Sequence, residues 1–143
     1  MIIGETYSPE VIRDIIRSSY DEIKDDSDPE FCDFMPRMDG AKYYAGSANG
    51  ELVGVAGYRY REDGTIYHPV VKPEHRGKYA AVFVSMTLAE SEGTIYTEIA
   101  DCYPKVIKFA EKFGFEVIGR SKSCFKGGEE YAVNTMRLIR WAL

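Results

Sequence analysis

Histidine is scarce in this 143-residue sequence, with only two, and the three cysteines, Cys32, Cys102 and Cys124, stand far apart. No C-x-x-C pair or Cys/His cluster offers a ligand set for zinc, so no metal site is expected. Scattered cysteines in odd number fit buried or half-buried free thiols in a reducing compartment. Long apolar runs are missing too, and nothing approaches the ~18 residues a membrane span requires. The start, Met1-Ile2-Ile3-Gly4-Glu5, lacks the basic and apolar regions of a signal peptide. The expectation is a cytoplasmic protein without membrane contact. Positive charge is also in deficit, with 18 Lys and Arg against 23 Asp and Glu, a formal charge of −5. Nucleic-acid binding runs on phosphate neutralisation and fits that balance poorly. A small anionic ligand needs only a local cationic patch and stays open.

What is present is the composition of one folded domain spanning residues 1–143, 45% hydrophobic and 29% charged, long enough to bury a core. Ser8-Pro9-Glu10 marks a helix start, since Ser caps free amides and Pro is preformed for the first turn. Ile12, Ile15, Ile16 and Tyr20 follow at helical spacing, with Arg13, Asp14 and Arg17 elsewhere on the wheel. The acidic stretch Asp25 to Asp39, which includes Phe31, Phe34 and Met35, reads as a loop with a helical turn, held down by its aromatics.

The period then changes to that of strands. Lys42 to Ser47 and Glu51 to Arg61 flank Asn49-Gly50, a strong hairpin signal because both turn residues tolerate positive φ. A turn at Glu62-Asp63-Gly64 leads into Thr65 to Lys72, completing an antiparallel meander. Beyond the polar connection Glu74 to Lys78, a helix is expected over Tyr79 to Glu92, burying Val82, Phe83, Met86 and Ala89. A strand over Thr94 to Ala100 precedes a second helix with the apolar stripe Val106, Phe109, Ala110 and Phe113. Strands over Phe115 to Arg120 and Tyr131 to Trp141 end the chain, with Lys122, Lys126 and Gly127-Gly128 in a solvated hairpin. The order predicts an α+β domain: a mixed, mostly antiparallel sheet with helices packed on both faces.

The segment richest in chemistry is Val70-Val71-Lys72-Pro73-Glu74-His75-Arg76-Gly77-Lys78-Tyr79-Ala80-Ala81. A strand ends, a short basic turn follows and a helix begins. That arrangement gathers backbone N–H groups and a helix N-terminus at one place, where Arg76 and Lys78 add charge. It is an anion site in outline; an ordinary exposed loop with solvated cations is the alternative.

This run resembles the strand-four-to-helix-three segment of the GNAT N-acetyltransferases, whose pattern there is [QR]-x-x-G-x-[GA]. Val106 to Phe115, ending Lys112-Phe113-Gly114-Phe115, is similar to the family's fourth helix, and the likeness spans roughly Lys42 to Arg120. Pro73 to Ala80 also resembles GNAT-like proteins encoded by tailed phages. The resemblance implies acetyl-CoA as cosubstrate, held by strand-four backbone near Val70 and Val71. Its pyrophosphate would lie on the turn Arg76, Gly77, Lys78, Tyr79, Ala80, Ala81. The acceptor would be the amine of a small molecule or a protein, and a sheet-edge homodimer is the assembly suggested. Direct attack needs a base for the amine and an acid for the leaving thiolate.

Two departures stand out. The central Gly of the pattern is Tyr79, whose ring either blocks the phosphate site or donates to it. The fourth helix carries Ala110 where the family often has a Tyr. Tyr103, near that helix's start, is the substitute acid, with aromatic packing as the alternative. His68 and Glu98 are the candidate bases, against readings as a strand-edge residue and a surface carboxylate. The departures also leave open a GNAT-fold protein without catalysis, serving as a structural or interaction module such as a phage component.

Overall fold

The computed structural model describes residues 1–138. Strand β1 (Ile2–Glu5) is followed by helix α1 (Pro9–Ile16) and the short helix α2 (Tyr20–Ile23). The meander is β2 (Ala41–Ala48), β3 (Glu51–Arg61) and β4 (Gly64–Val71). Helix α3 (Arg76–Ala89), β5 (Ile95–Ala100), α4 (Pro104–Lys112), β6 (Phe115–Lys126) and β7 (Glu129–Leu138) follow. The strands form one sheet in the order β1-β2-β3-β4-β5-β7-β6. Every pairing is antiparallel except β4 with β5. The expected α+β architecture is the one observed. Positions 139–141 of the last expected strand lie outside the described residues. Among the described residues no helix is long and apolar enough to cross a membrane.

Local chemistry accounts for the early elements. Ser8 Oγ accepts from the Val11 amide at 3.2 Å and caps α1. Asn49 and Gly50 take positive φ, 53° and 79°, as a tight hairpin turn requires. Alternation along β3 divides the core in two. Val55 meets Ile12, Ile15, Ile16 and Tyr20 on the α1 face. Ala56 and Tyr58 meet Phe83, Val84 and Leu88 on the opposite face. The loop after α2 is pinned as expected: Arg13 donates to the carbonyls of Phe34 (2.7 Å) and Phe31 (2.8 Å), and both rings pack on Tyr20.

Several expectations need correction. Helix α3 begins at Arg76, not Tyr79, behind a 3-10 turn over Pro73–His75; Pro73 starts that turn and the chain winds on without a polar linker. Its buried face is Phe83, Val84, Thr87 and Leu88, while Val82 is 41% exposed and Ala89 exposed. Apolar residues surround this helix, so period alone could not select a face. Thr87 belongs inside because its hydroxyl bonds the Phe83 carbonyl (2.8 Å) and the Tyr67 phenol (2.6 Å). Strand β6 runs on to Lys126 with two register shifts against β7. Cys32 is exposed rather than buried.

The β6–β7 hairpin is not merely solvated. Lys126 Nζ donates to the carbonyls of Asp21 (3.2 Å), Glu22 (3.0 Å) and Lys24 (2.5 Å). The Asp26 carboxylate accepts the amides of Gly127 (2.8 Å) and Gly128 (2.9 Å). The hairpin is thereby clipped to the segment after α2.

Gly46 of β2 sits beneath the Phe83 ring, where an added Cβ would lie 2.7 Å from two ring carbons. A Cβ on Gly77 meets nothing within 4 Å. Gly46→Ala is therefore expected to cost ~1–3 kcal/mol by overpacking, and Gly77→Ala nothing beyond ~0.5 kcal/mol. Denaturant melts of the two variants check the contrast.

Candidate functional site

β4 and β5 part company. Their parallel register holds at Thr65–Ile95 and Ile66–Tyr96, and no further rung joins them. The Thr65 amide donates to Thr94 O (3.0 Å) and the Lys72 amide to Val53 O (2.9 Å). Odd-numbered residues of β4 thus turn their backbone groups toward β5, and even-numbered ones toward β3. Pro69 occupies an odd position and has no N–H to strand. Tyr67 O is taken by the Thr97 hydroxyl at 2.9 Å, and Val71 O by Arg76 Nε at 3.0 Å. The parting is chemically provided for.

A cavity of about 800 Å³ opens at this gap. Tyr67, Val70, Thr97 and Ile99 line it from the strands. The α4 stripe Val106, Phe109, Ala110 and Phe113 forms one wall. Ala110 is buried, Phe109 and Phe113 are partly buried against the main core, and Val106 is exposed, so the stripe serves the core and the cavity wall together. Ile16, Tyr20 and Phe34 close the α1 side.

The structure brings His68 and Glu98 together. Both line the cavity, and the Glu98 charge acts on the His68 ring. His68 is half-buried. Desolvation, then the adjacent Arg59 charge, pushes its pKa down to about 4, with Glu98 opposing. Arg59 Nη2 lies 3.3 Å from His68 Nε2. A guanidinium only donates, so Nε2 is the accepting nitrogen and the ring proton sits on Nδ1. Glu98 accepts from Lys122 Nζ at 2.7 Å. Arg59 and Lys122 were absent from the sequence candidates; their strand positions carry no signal until register sets them beside His68 and Glu98.

Tyr103 also lines the cavity, but its phenol donates to Glu22 O at 2.5 Å. Burial, and then Cys102 beside it, raises its pKa to about 12. It is held at the rim, not aimed at the gap.

The cofactor candidates divide. The Val70 side chain lines the cavity, while its backbone pairs with Val55 of β3, so of the expected pair only Val71 turns an amide toward β5. Arg76 donates to Val71 O, to Glu22 (3.1 Å) and to Ser19 Oγ (3.1 Å). That guanidinium clamps the α1–α2 segment to the end of β4 instead of standing free for phosphate. No side chain caps α3, and its own first turn holds no acidic residue; the 3-10 turn leading into it carries Glu74, and the Arg76 amide is taken by the Pro73 carbonyl. Gly77, Lys78 and Ala81 are exposed, and Ala80 is partly so. Gly77, Ala81 and the cavity-lining Val84 fall at helical spacing on one face. The Tyr79 ring leans on His75 (centroids 5.8 Å apart) and its hydroxyl meets Asn49 Nδ2 at 3.5 Å. It lies toward the β2–β3 turn and does not line the cavity.

A mixed sheet whose central parallel pair parts beside an uncapped helix start is the plan of an acyltransferase fold. Residues 9–115 match the acetyltransferase (GNAT) family model. The chain belongs to that family. Its backbone superposes on a variant of the spermidine N-acetyltransferase SpeG from Vibrio cholerae with a TM-score of 0.74 at 14% identity, covering 97% of this chain and 95% of that one. The smu.2055 protein of Streptococcus mutans gives 0.72 at 13% identity, over 96% and 98%. The Vibrio cholerae spermidine N-acetyltransferase in complex with CoA and spermine gives 0.65 at 17% identity, over 95% and 94%. At such identities the likeness concerns the fold. No curated protein matches the sequence.

Imidazole resonances followed by NMR are expected to show His68 titrating near pH 4, against ~6.5 for free histidine. Arg59→Gln raises that midpoint and Glu98→Gln lowers it. The unfolded chain takes up this proton first, so the His68 contribution to stability is complete above pH ~6.5 and is lost as pH falls toward 4. His68→Gln should remove that part of the acid sensitivity in pH-dependent melts.

Proposed function

We propose that the protein transfers an acetyl group from acetyl-CoA to an amine. The observation that carries this reading is the parting of β4 and β5 beside the uncapped start of α3. The pyrophosphate would rest on the α3 amides along the face carrying Gly77 and Ala81, with Lys78 nearby, and Tyr79 would stand aside. The pantetheine arm would run into the gap, where the Val71 amide is the available donor on β4. Its apolar methylenes would lie against the α4 stripe.

The thioester carbonyl would then sit in the gap, with the amine reaching it from the α1 face. The amine nitrogen bonds to the carbonyl carbon, the C–S bond breaks, and the thiolate takes a proton. His68, neutral at physiological pH, and Glu98 are the groups placed to accept the amine's proton. Tyr103 would serve as a wall residue, since its hydroxyl is engaged, and Ala110 offers no hydroxyl in the family's usual position. The proton taken from the attacking nitrogen by the base would pass back to the thiolate through water, so the one proton released is the one consumed.

Titration calorimetry is expected to find one acetyl-CoA per chain. Ala81→Trp should weaken it at least about tenfold by filling the helix face, and Tyr79→Phe should change it less than about threefold. Absence of binding at about 1 mM acetyl-CoA removes the proposal.

A further inference from the structure

The cavity lining carries as many carboxylates as cations, four of each. Its charge therefore gives no surplus to hold a polycation. Three of those cations already have partners. Lys24 pairs with Glu30 at 3.2 Å, Lys122 with Glu98 at 2.7 Å, and Lys126 sits on three backbone carbonyls. The fourth is Arg59, whose described hydrogen bond goes to an uncharged imidazole at 3.3 Å. Among the described residues no carboxylate pairs with it. Its side chain is exposed, and register places it beside His68, on the cavity side of β3.

We infer that Arg59 binds a carboxylate of the acceptor, so that the substrate class is amino-carboxylates rather than polyamines. This rests on the acetyl-transfer reading of the same site. A planar guanidinium with most of its donors unused matches a carboxylate in two parallel hydrogen bonds. The geometry also sets the spacing. Arg59 projects from β3, one strand, or ~4.8 Å, from β4, at whose free edge the acetyl group would arrive. An acceptor whose amine and carboxylate are separated by a few bonds spans that distance. Its apolar part would face Ile16, Tyr20 and Phe34.

Binding would also free the base. Arg59 donates to the His68 nitrogen that has to accept the proton. A carboxylate that draws the guanidinium away exposes that lone pair and cancels the charge beside it. Substrate recognition and activation of His68 would then be one event.

The test measures released CoA thiol with α-, β- and γ-amino acids, each against its own carboxamide, with spermidine and spermine alongside. The best acceptor should be an amino acid, favoured in kcat/KM over its amide by at least about tenfold. Arg59→Gln should bring that ratio close to one, while Arg59→Lys should keep part of it. A polyamine or an amide as best acceptor overturns the assignment, as does a ratio that survives in Arg59→Gln. So does failure of every amino acid to be acetylated by a chain that binds acetyl-CoA in the calorimeter. Failure to bind acetyl-CoA at all overturns the transferase reading instead.

Discussion

A sheet resists opening in its middle, because each lost rung strands a donor and an acceptor away from water. Here the two central strands separate after Ile66 and Tyr96, and the remaining site features depend on that separation being affordable. Pro69 contributes no donor at the parted edge. Thr97 satisfies the Tyr67 carbonyl through its side chain, and Arg76 satisfies that of Val71. What remains is an amide at Val71 and a passage from one face of the sheet to the other.

Arg76 joins two consequences of that opening. The same guanidinium that answers Val71 also holds Ser19 and Glu22, so the α1–α2 segment is fixed relative to the mouth of the gap. Lys126 and Asp26 fix it from the opposite side through the β6–β7 hairpin. Tyr103 adds a third tie at Glu22. The α1 side of the cavity is therefore framed by directional hydrogen bonds, and its floor holds the Arg59, His68, Glu98 and Lys122 side chains.

Much of the fold was readable along the chain because its signals are local. Asn49-Gly50 needs no partner to favour its turn, Ser8 caps its own helix, and Ile12, Ile15 and Ile16 recur along one face of that helix. The α4 stripe was also legible, though its reason was not, since a wall of a cavity and a face of a core have the same period. Arg59 and Lys122 carried no mark, because their meaning comes from strands next to them in the sheet. Tyr79 could be recognised as a departure from the family pattern, but the direction of its ring depends on Asn49, thirty residues upstream.

The sequence by itself determined the order of the meander, the helices and the strands that follow it, and the strand-turn-helix passage from Val70 to Ala81 that gathers amides and cations at one place. These follow from backbone preferences acting over a few residues. Tertiary structure decided which donors remain free: Arg76 and Tyr103 are committed to the framework, His68 is held neutral beside a guanidinium, and the Val71 amide is left facing the gap. A hydrogen bond or a Coulomb interaction is fixed by distance in space, and only the folded sheet brings residues so far apart in sequence within that range.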